Sequence, residues 1–126
     1  FVDASGDTMT GDLVVQGNID QNESRFVSSS TTTNTNLQTL IFSFPHATYD
    51  AAEIVVKVAE GGKRHVTKLL ITHDGTTPIA TEYGTVFTTS ELAEFEININ
   101  GSSLELLATP SATNTTVFKI VGTLIE

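Results

Sequence analysis

Residues 93–100 have the sequence AEFEININ, which is the clearest structural pattern in the chain. Apolar side chains occupy every second position from Ala93 to Ile99, and a period of two predicts a strand with one buried face. Asn100 and Gly101 follow, and an Asn-Gly pair favours a tight hairpin turn because both residues tolerate a positive φ angle. The pattern therefore predicts an antiparallel hairpin whose second strand covers residues 104–109.

Similar patterns continue through the C-terminal part of the chain, separated by Gly, Pro and Asp turn signals at intervals of about ten residues. They predict seven short strands, and the one candidate helix, at residues 89–94, has the length of a single turn. Gly84 within a predicted strand indicates a β-bulge. We therefore predict an all-β domain over residues 37–126, an antiparallel β-sandwich or jelly roll.

The first 36 residues have a different composition. Residues 1–27 are rich in Gly and Asp and have too few apolar side chains for a core, so we predict a short fibrous stem or collar segment. Residues 28–36 have the sequence SSSTTTNTN, which predicts a polar linker or an extended strand exposed on both faces. We place the domain boundary there. Because the chain opens with Phe1 and shows no signal peptide, we expect a fragment of a longer polypeptide.

Composition excludes several classes of function. The 126 residues include 6 Lys and Arg against 15 Asp and Glu, a formal net charge of −9, which repels phosphate backbones and excludes nucleic acid as a partner. The absence of Cys excludes disulfides, thiolate metal sites and cysteine nucleophiles. No apolar run approaches the roughly 20 residues of a membrane-spanning helix. We expect no cofactor.

Histidine and glutamate pairs are the candidates for metal binding or catalysis. His65 and His73 lie eight residues apart on one predicted strand, about 26 Å at 3.3 Å per residue, so they cannot share a metal ion. With His46, they are predicted to be surface or hydrogen-bonded side chains. Glu94 and Glu96 have the spacing of a glycosidase pair, about 7 Å, but any solvated strand face with two glutamates meets it. We predict no metal site, no catalytic residue and no enzyme.

A positive cluster follows the Gly61-Gly62 turn: Lys63, Arg64 and His65, with Lys68 nearby. Such a cluster can bind an anionic glycan or the phosphate of a lipopolysaccharide. It can also protect an edge strand against aggregation, which is the commoner role and the one that we favour.

Residues 6–19 have the sequence GDTMTGDLVVQGNI, which resembles the GGTMTGDL…G segments of bacteriophage tail fibre proteins, with Asp7 in place of the second Gly. In that family such segments form slender trimeric stems and collars. The remaining chain resembles a β domain near the C-terminal end of tail fibre and related virion proteins, particularly of phages that infect marine bacteria. The stretches that carry this second resemblance are residues 73–76, 82–86, 95–99 and 104–110.

The resemblance implies a virion protein of the tail fibre that attaches to the host surface as a homotrimer. The partners it implies are other virion proteins at the N-terminal end and a host surface polysaccharide or outer-membrane receptor. A purely structural module, in a baseplate, collar or fibre joint, is the alternative. If the domain recognises glycan, we expect the contacts in turns and at one aromatic position: Asp74, Thr76, Tyr83 and Asn114.

A trimer would also account for apolar side chains that lack partners. The last predicted strand, residues 115–125, is apolar on both faces, which is typical of a central strand or one at a subunit interface. The stem segment likewise has apolar residues with nothing beside them to pack against. The predicted trimer interface consists of Leu13, Val15, Ile19, Val117, Val121 and Ile125.

Overall fold

The structure is a computed structural model that describes residues 5–6 and 8–126. Residues 1–4 and 7 lie outside the described residues, so the Asp7 of the predicted stem motif has no structural account. The described chain forms nine strands, all paired in antiparallel fashion, and contains no helix, hence none that is long and apolar enough to cross a membrane. The strands are β1 (Ile19–Gln21), β2 (Ser24–Thr33), β3 (Thr39–Pro45), β4 (Ala51–Glu60), β5 (Lys63–His73), β6 (Pro78–Phe87), β7 (Ala93–Asn100), β8 (Ser103–Pro110) and β9 (Thr116–Ile125).

Two sheets make up the domain. The larger has six strands in the order β1-β2-β9-β4-β5-β6, and the smaller has three in the order β3-β8-β7. The predicted all-β antiparallel sandwich is confirmed, and β3 to β9 are the seven strands that alternation predicted. The one candidate helix, at residues 89–94, does not form: residues 89–92 have no helix, and β7 begins at Ala93.

The core lies between the two sheets and is made by alternate residues of each strand. Phe118 and Ile120 on β9 and Leu104 and Leu106 on β8 are at most 1% exposed. Full burial of a large apolar side chain stabilises the fold by about 1.5–3 kcal/mol. The alternation that predicted the strands is therefore the same feature that holds the sheets together.

The polar run after Val27 is a strand of the larger sheet. Residues 28–33 lie in β2 and pair with β9 over its whole length, so this sheet begins at Ile19 and not at residue 37. The physical reason is that the backbone of β9 needs partners on both edges. β4 supplies them on one edge, and the extended Ser/Thr segment supplies them on the other with few apolar side chains of its own. Val27, 7% exposed, anchors the strand in the core.

A bulge in β6 was predicted from Gly84 and is confirmed. The register with β5 shifts between Val66, which pairs with Val86, and Lys68, which pairs with Tyr83. Gly84 lies in the bulged segment and has a φ angle of 69°, a backbone conformation that residues other than glycine rarely adopt. The bulge sets which β6 side chains face the core and which face outward.

Candidate functional site

The four predicted glycan contacts do not form one site. Asp74 and Thr76 lie in the turn between β5 and β6, whereas Asn114 lies at the other end of the sandwich, where its Nδ2 donates to Glu60 Oε1 at 3.0 Å. The 11 residues of β5 separate these turns by about 35 Å at 3.3 Å per residue. Tyr83 is 38% exposed on the outer face of β6.

Asp74 has a structural role in its turn. Its Oδ1 accepts hydrogen bonds from the backbone N–H groups of Thr77 at 2.7 Å and Thr76 at 3.0 Å. These two bonds stabilise the ionised carboxylate and lower the pKa of Asp74 below its usual value. An Asp that caps its own turn in this way is explained without a ligand.

An acidic cleft lies where β6, the edge of the larger sheet, faces β7, the edge of the smaller one. Its volume is about 490 Å³, and no Lys, Arg or His is among the described residues that line it. The walls combine carboxylates with two hydroxyls and one ring. The lining residues are Glu82, Thr85, Glu91, Ala93, Glu94, Phe95, Glu96 and Thr109.

Hydrogen bonds fix two of the cleft's carboxylates. Glu82 Oε2 accepts from the hydroxyl of the buried Thr67 at 3.0 Å and from that of Thr85 at 3.3 Å. On the opposite wall, Glu96 Oε2 accepts from Gln38 Nε2 at 2.9 Å. The cleft can therefore accept hydrogen bonds from hydroxyl or amine donors of a ligand such as a sugar.

Glu94 and Glu96, the pair with glycosidase spacing, are alternate residues of β7 and both point outward from the smaller sheet. They lie on one wall of the cleft and do not face each other across it. Glu96 is already bonded to Gln38. A glycosidase instead places its two carboxylates on either side of the bond that it cleaves.

His65 is buried close to the cleft and is not a surface residue. Its Nδ1 accepts the backbone N–H of Leu92 at 3.1 Å, which places the ring proton on Nε2, and its ring packs near Phe87 and Phe95. Nε2 has no hydrogen-bond partner among the described residues. Burial lowers the pKa of His65, while the nearby carboxylates of Glu91 and Glu82 act in the opposite direction.

The other two histidines meet at the far end of the sandwich. The rings of His46 and His73 make an edge contact with centroids 5.6 Å apart. His46 Nε2 lies 2.9 Å from the carbonyl of Gly101, and His73 Nε2 lies 2.7 Å from that of Tyr49. Among the described residues, no three His, Asp or Glu side chains are grouped so as to hold a metal ion.

The residues predicted at the trimer interface are exposed to different degrees. Leu13, Val15 and Ile19 are 67%, 44% and 45% exposed, and Val121 and Ile125 are 55% and 47% exposed. The β9 members face outward from the larger sheet and Val117 is half-buried there. The described chain leaves these side chains only partly covered, and the trimer itself stays a prediction.

Sequence reasoning identified Glu94 and Glu96 as a pair but missed the acidic cleft that they line together with Glu82 and Glu91. Its residues come from β6, from the loop before β7, from β7 and from β8, and they meet because β6 and β7 are the edges of the two sheets on the same side. Alternation predicts strands but not their order in a sheet. The only sequence signal was the density of Glu between residues 82 and 96.

No protein-family description and no curated protein sequence matches the chain. Solved structures do match it. The tailspike protein of Acinetobacter baumannii bacteriophage Fri1, a capsular polysaccharide depolymerase, aligns with a TM-score of 0.52 and 17% identity over 85% of this chain and 19% of its own. The tailspike of Acinetobacter baumannii phage AM24 aligns with a TM-score of 0.52 and 10% identity over 81% of this chain and 26% of its own.

The fold resembles a domain of phage tailspikes. This chain spans only about a fifth to a quarter of the length of those two tailspikes, and at 17% and 10% identity the likeness is one of fold. The structural neighbours are tailspikes, whereas the sequence resemblance was to tail fibre proteins. The depolymerase description is that of the Fri1 tailspike.

Proposed function

We propose that this chain is a β-sandwich domain of a phage tail protein, of the tail fibre or tailspike class, and that it helps to attach the virion to the host cell surface. The observation that carries the proposal is the shared fold with two phage tailspikes over more than four fifths of this chain. The tail fibre motif at residues 6–19 supports the same class from independent residues. The place of action proposed is the virion tail.

The proposed assembly is a homotrimer held by residues 8–19, which lead into the sandwich and end at the first residue of β1. Leu13, Val15 and Ile19 are exposed in the single chain, so three chains can bury them against one another. We leave the β9 residues out of this contact, because Lys119 lies between Val117 and Val121 on the same face. A three-fold axis there would bring three lysines together, and like charges repel.

The attachment role can be tested with the fluorescently labelled 126-residue chain and a panel of encapsulated bacterial strains, each paired with a capsule-free mutant. We expect the chain to coat at least one encapsulated strain and to leave its capsule-free mutant unlabelled. A labelled carrier protein of similar net charge is the control. Absence of binding to every strain, together with co-purification of another virion protein, would support the structural alternative of a baseplate, collar or joint domain.

The proposed trimer can be tested separately by measuring the mass of the chain in solution. Light scattering over a range of concentrations should give three times 13.5 kDa if the chain trimerises by itself. A stable mass of 13.5 kDa would contradict a trimer held by residues 8–19 and would leave trimerisation to parts of a longer protein.

We further propose that this domain binds and does not cleave. The arrangement of Glu94 and Glu96 on one strand face supports this, although one matching tailspike is described as a depolymerase. Incubation with capsular polysaccharide should release no new reducing ends. Release of reducing ends that disappears in Glu94→Gln/Glu96→Gln, with the fold intact, would contradict the proposal.

A further inference from the structure

The outer face of the larger sheet concentrates the positive charge of an acidic chain. Pairing across strands shows which residues share this face: Lys57 lies opposite Lys119 on β9 and opposite Val66 on β5. Lys68 and Arg64 are two residues from Val66 on either side and point the same way. Four of the six Lys and Arg residues therefore lie on one face of a chain whose net charge is −9.

The cluster predicted at the hairpin is not the one that the fold builds. Of its members, His65 is buried and Arg64 donates to the carbonyls of Gly61 and Lys63 at 2.8 Å each. Lys68 joins Lys57 and Lys119, which come from other strands, to form what we call the lysine face. The spacing of these three lysines in the sequence does not predict that they are neighbours, because only the strand order β9-β4-β5 places them side by side.

The described residues do not neutralise the charge of the lysine face. Lys57 and Lys119 are directly opposite each other on adjacent strands, with Cα atoms about 4.5–5.5 Å apart, an arrangement that is destabilising for like charges. None of the three lysines forms an ion pair within the described residues, where the one salt bridge joins Arg25 to Asp20. A single outward carboxylate, Glu53, lies on this face of β2, β9, β4, β5 and β6.

The neighbours of the lysines suit a sugar polymer. Ser30 pairs with Lys119 and Ser28 with Val121, so a row of hydroxyls borders the cluster on β2. Tyr83 pairs with Lys68 on the other side and is partly exposed, which offers a ring face for the C–H side of a sugar. The surface is an open sheet face with two shallow depressions, one beside Val121 and a more apolar one beside Leu70, so a ligand must make many weak contacts along its length.

We propose that the lysine face binds an acidic polysaccharide, a polymer with carboxylates on its sugars. The positive charge of the lysines favours an anionic ligand. The open sheet face with its flanking hydroxyls favours an extended chain of sugars. The inference rests on the proposed attachment role and gives it a ligand class. A single exposed ion pair is weak, and repetition along a polymer and between copies of the domain provides the affinity.

The test uses the 126-residue chain with polygalacturonate as the acidic probe and dextran as the neutral one, by affinity electrophoresis or titration at low salt. We expect binding to polygalacturonate that weakens as salt rises, and no binding to dextran. Lys57→Gln/Lys119→Gln should bind about tenfold more weakly, because two charge contacts are lost.

A matched control is available in the same chain. Arg25→Gln/Lys63→Gln removes the same two units of charge from residues outside the lysine face, and we expect less than a twofold change in binding. Equal loss in both double variants would overturn the proposal, because it would reduce the effect to net charge. Equal binding of dextran would also overturn it.

Other occupants of the face give distinct results. Tighter binding to phosphatidylglycerol vesicles than to polygalacturonate would identify an anionic lipid surface and overturn the glycan assignment. A multimer that Val121→Arg converts to a monomer would show that a second copy covers the face, and would overturn it too. Because the polygalacturonate assay contains no cells, the two proposals fail separately. Polygalacturonate binding that is absent, or is unchanged in Lys57→Gln/Lys119→Gln, while the chain still adsorbs to cells overturns this inference alone. Lysine-dependent polygalacturonate binding without adsorption to any strain overturns the attachment role alone.

Discussion

The two faces of β9 have similar apolar side chains and different environments. On one face Phe118, Ile120 and Leu124 are at most 2% exposed, whereas on the other Val121 and Ile125 are about half exposed. The first face packs against the smaller sheet, and the second shares the outer surface with Lys119. Residue type alone therefore does not decide burial on a central strand. The position of the second sheet decides it.

The largest expected effect comes from breaking the buried face. Phe118→Ala removes a fully buried ring that packs edge-on against Phe95, and we expect it to lower the free energy of unfolding by about 3–5 kcal/mol. Val121→Ala on the outer face is the control and should cost less than about 1 kcal/mol. Chemical denaturation measures both, and similar losses would mean that both faces are buried in the protein in solution.

Gly122 tests how tightly the buried face is packed. It pairs with Ile54 on β4, and a Cβ at this position would lie 2.5 Å from the carbonyl oxygen of Glu53 and 2.6 Å from Ile54 Cδ1. Gly122→Ala should therefore lower the free energy of unfolding by about 1–3 kcal/mol through overpacking. Gly62→Ala meets nothing within 4 Å and serves as the control. A neutral Gly122→Ala would show that β4 and β9 can move apart.

Some elements of this fold can be predicted from the sequence, and others cannot. The alternation of residues 93–100 and the Asn-Gly turn predicted β7, β8 and the hairpin between them, because local period and turn chemistry are both visible in one stretch. β2 was harder to recognise, since a run of Ser and Thr has no apolar period and its partner β9 lies about 90 residues away. The lysine face and the acidic cleft depend on strand order, which local pattern does not contain.

The buried face of the larger sheet extends to His65, and we expect the burial of this histidine to make the stability of the fold depend on pH. Burial lowers its pKa in the folded chain, so the unfolded chain binds a proton more readily near pH 6. Stability should therefore fall as pH drops through 6.5, the ordinary value for histidine, by up to about 1 kcal/mol between pH 7.5 and 5.5. Thermal unfolding of His65→Gln should lose this dependence, and His73→Gln should keep it. An unchanged pH slope in His65→Gln would assign the dependence to other groups.

The smallest expected effect on stability concerns the outer face of β9. The same variant distinguishes a trimer held by residues 8–19 from a trimer held by β9. Val121→Ser changes a half-exposed side chain beside Lys119, and we expect it to shift the free energy of unfolding by less than about 0.5 kcal/mol and to leave the solution mass unchanged. Leu13→Ser/Val15→Ser should instead reduce a trimer to single chains, because the described chain leaves those side chains 67% and 44% exposed. If Val121→Ser dissociates the trimer and the stem variant does not, β9 is the interface. The lysine face would then be covered in the assembly and closed to a polysaccharide.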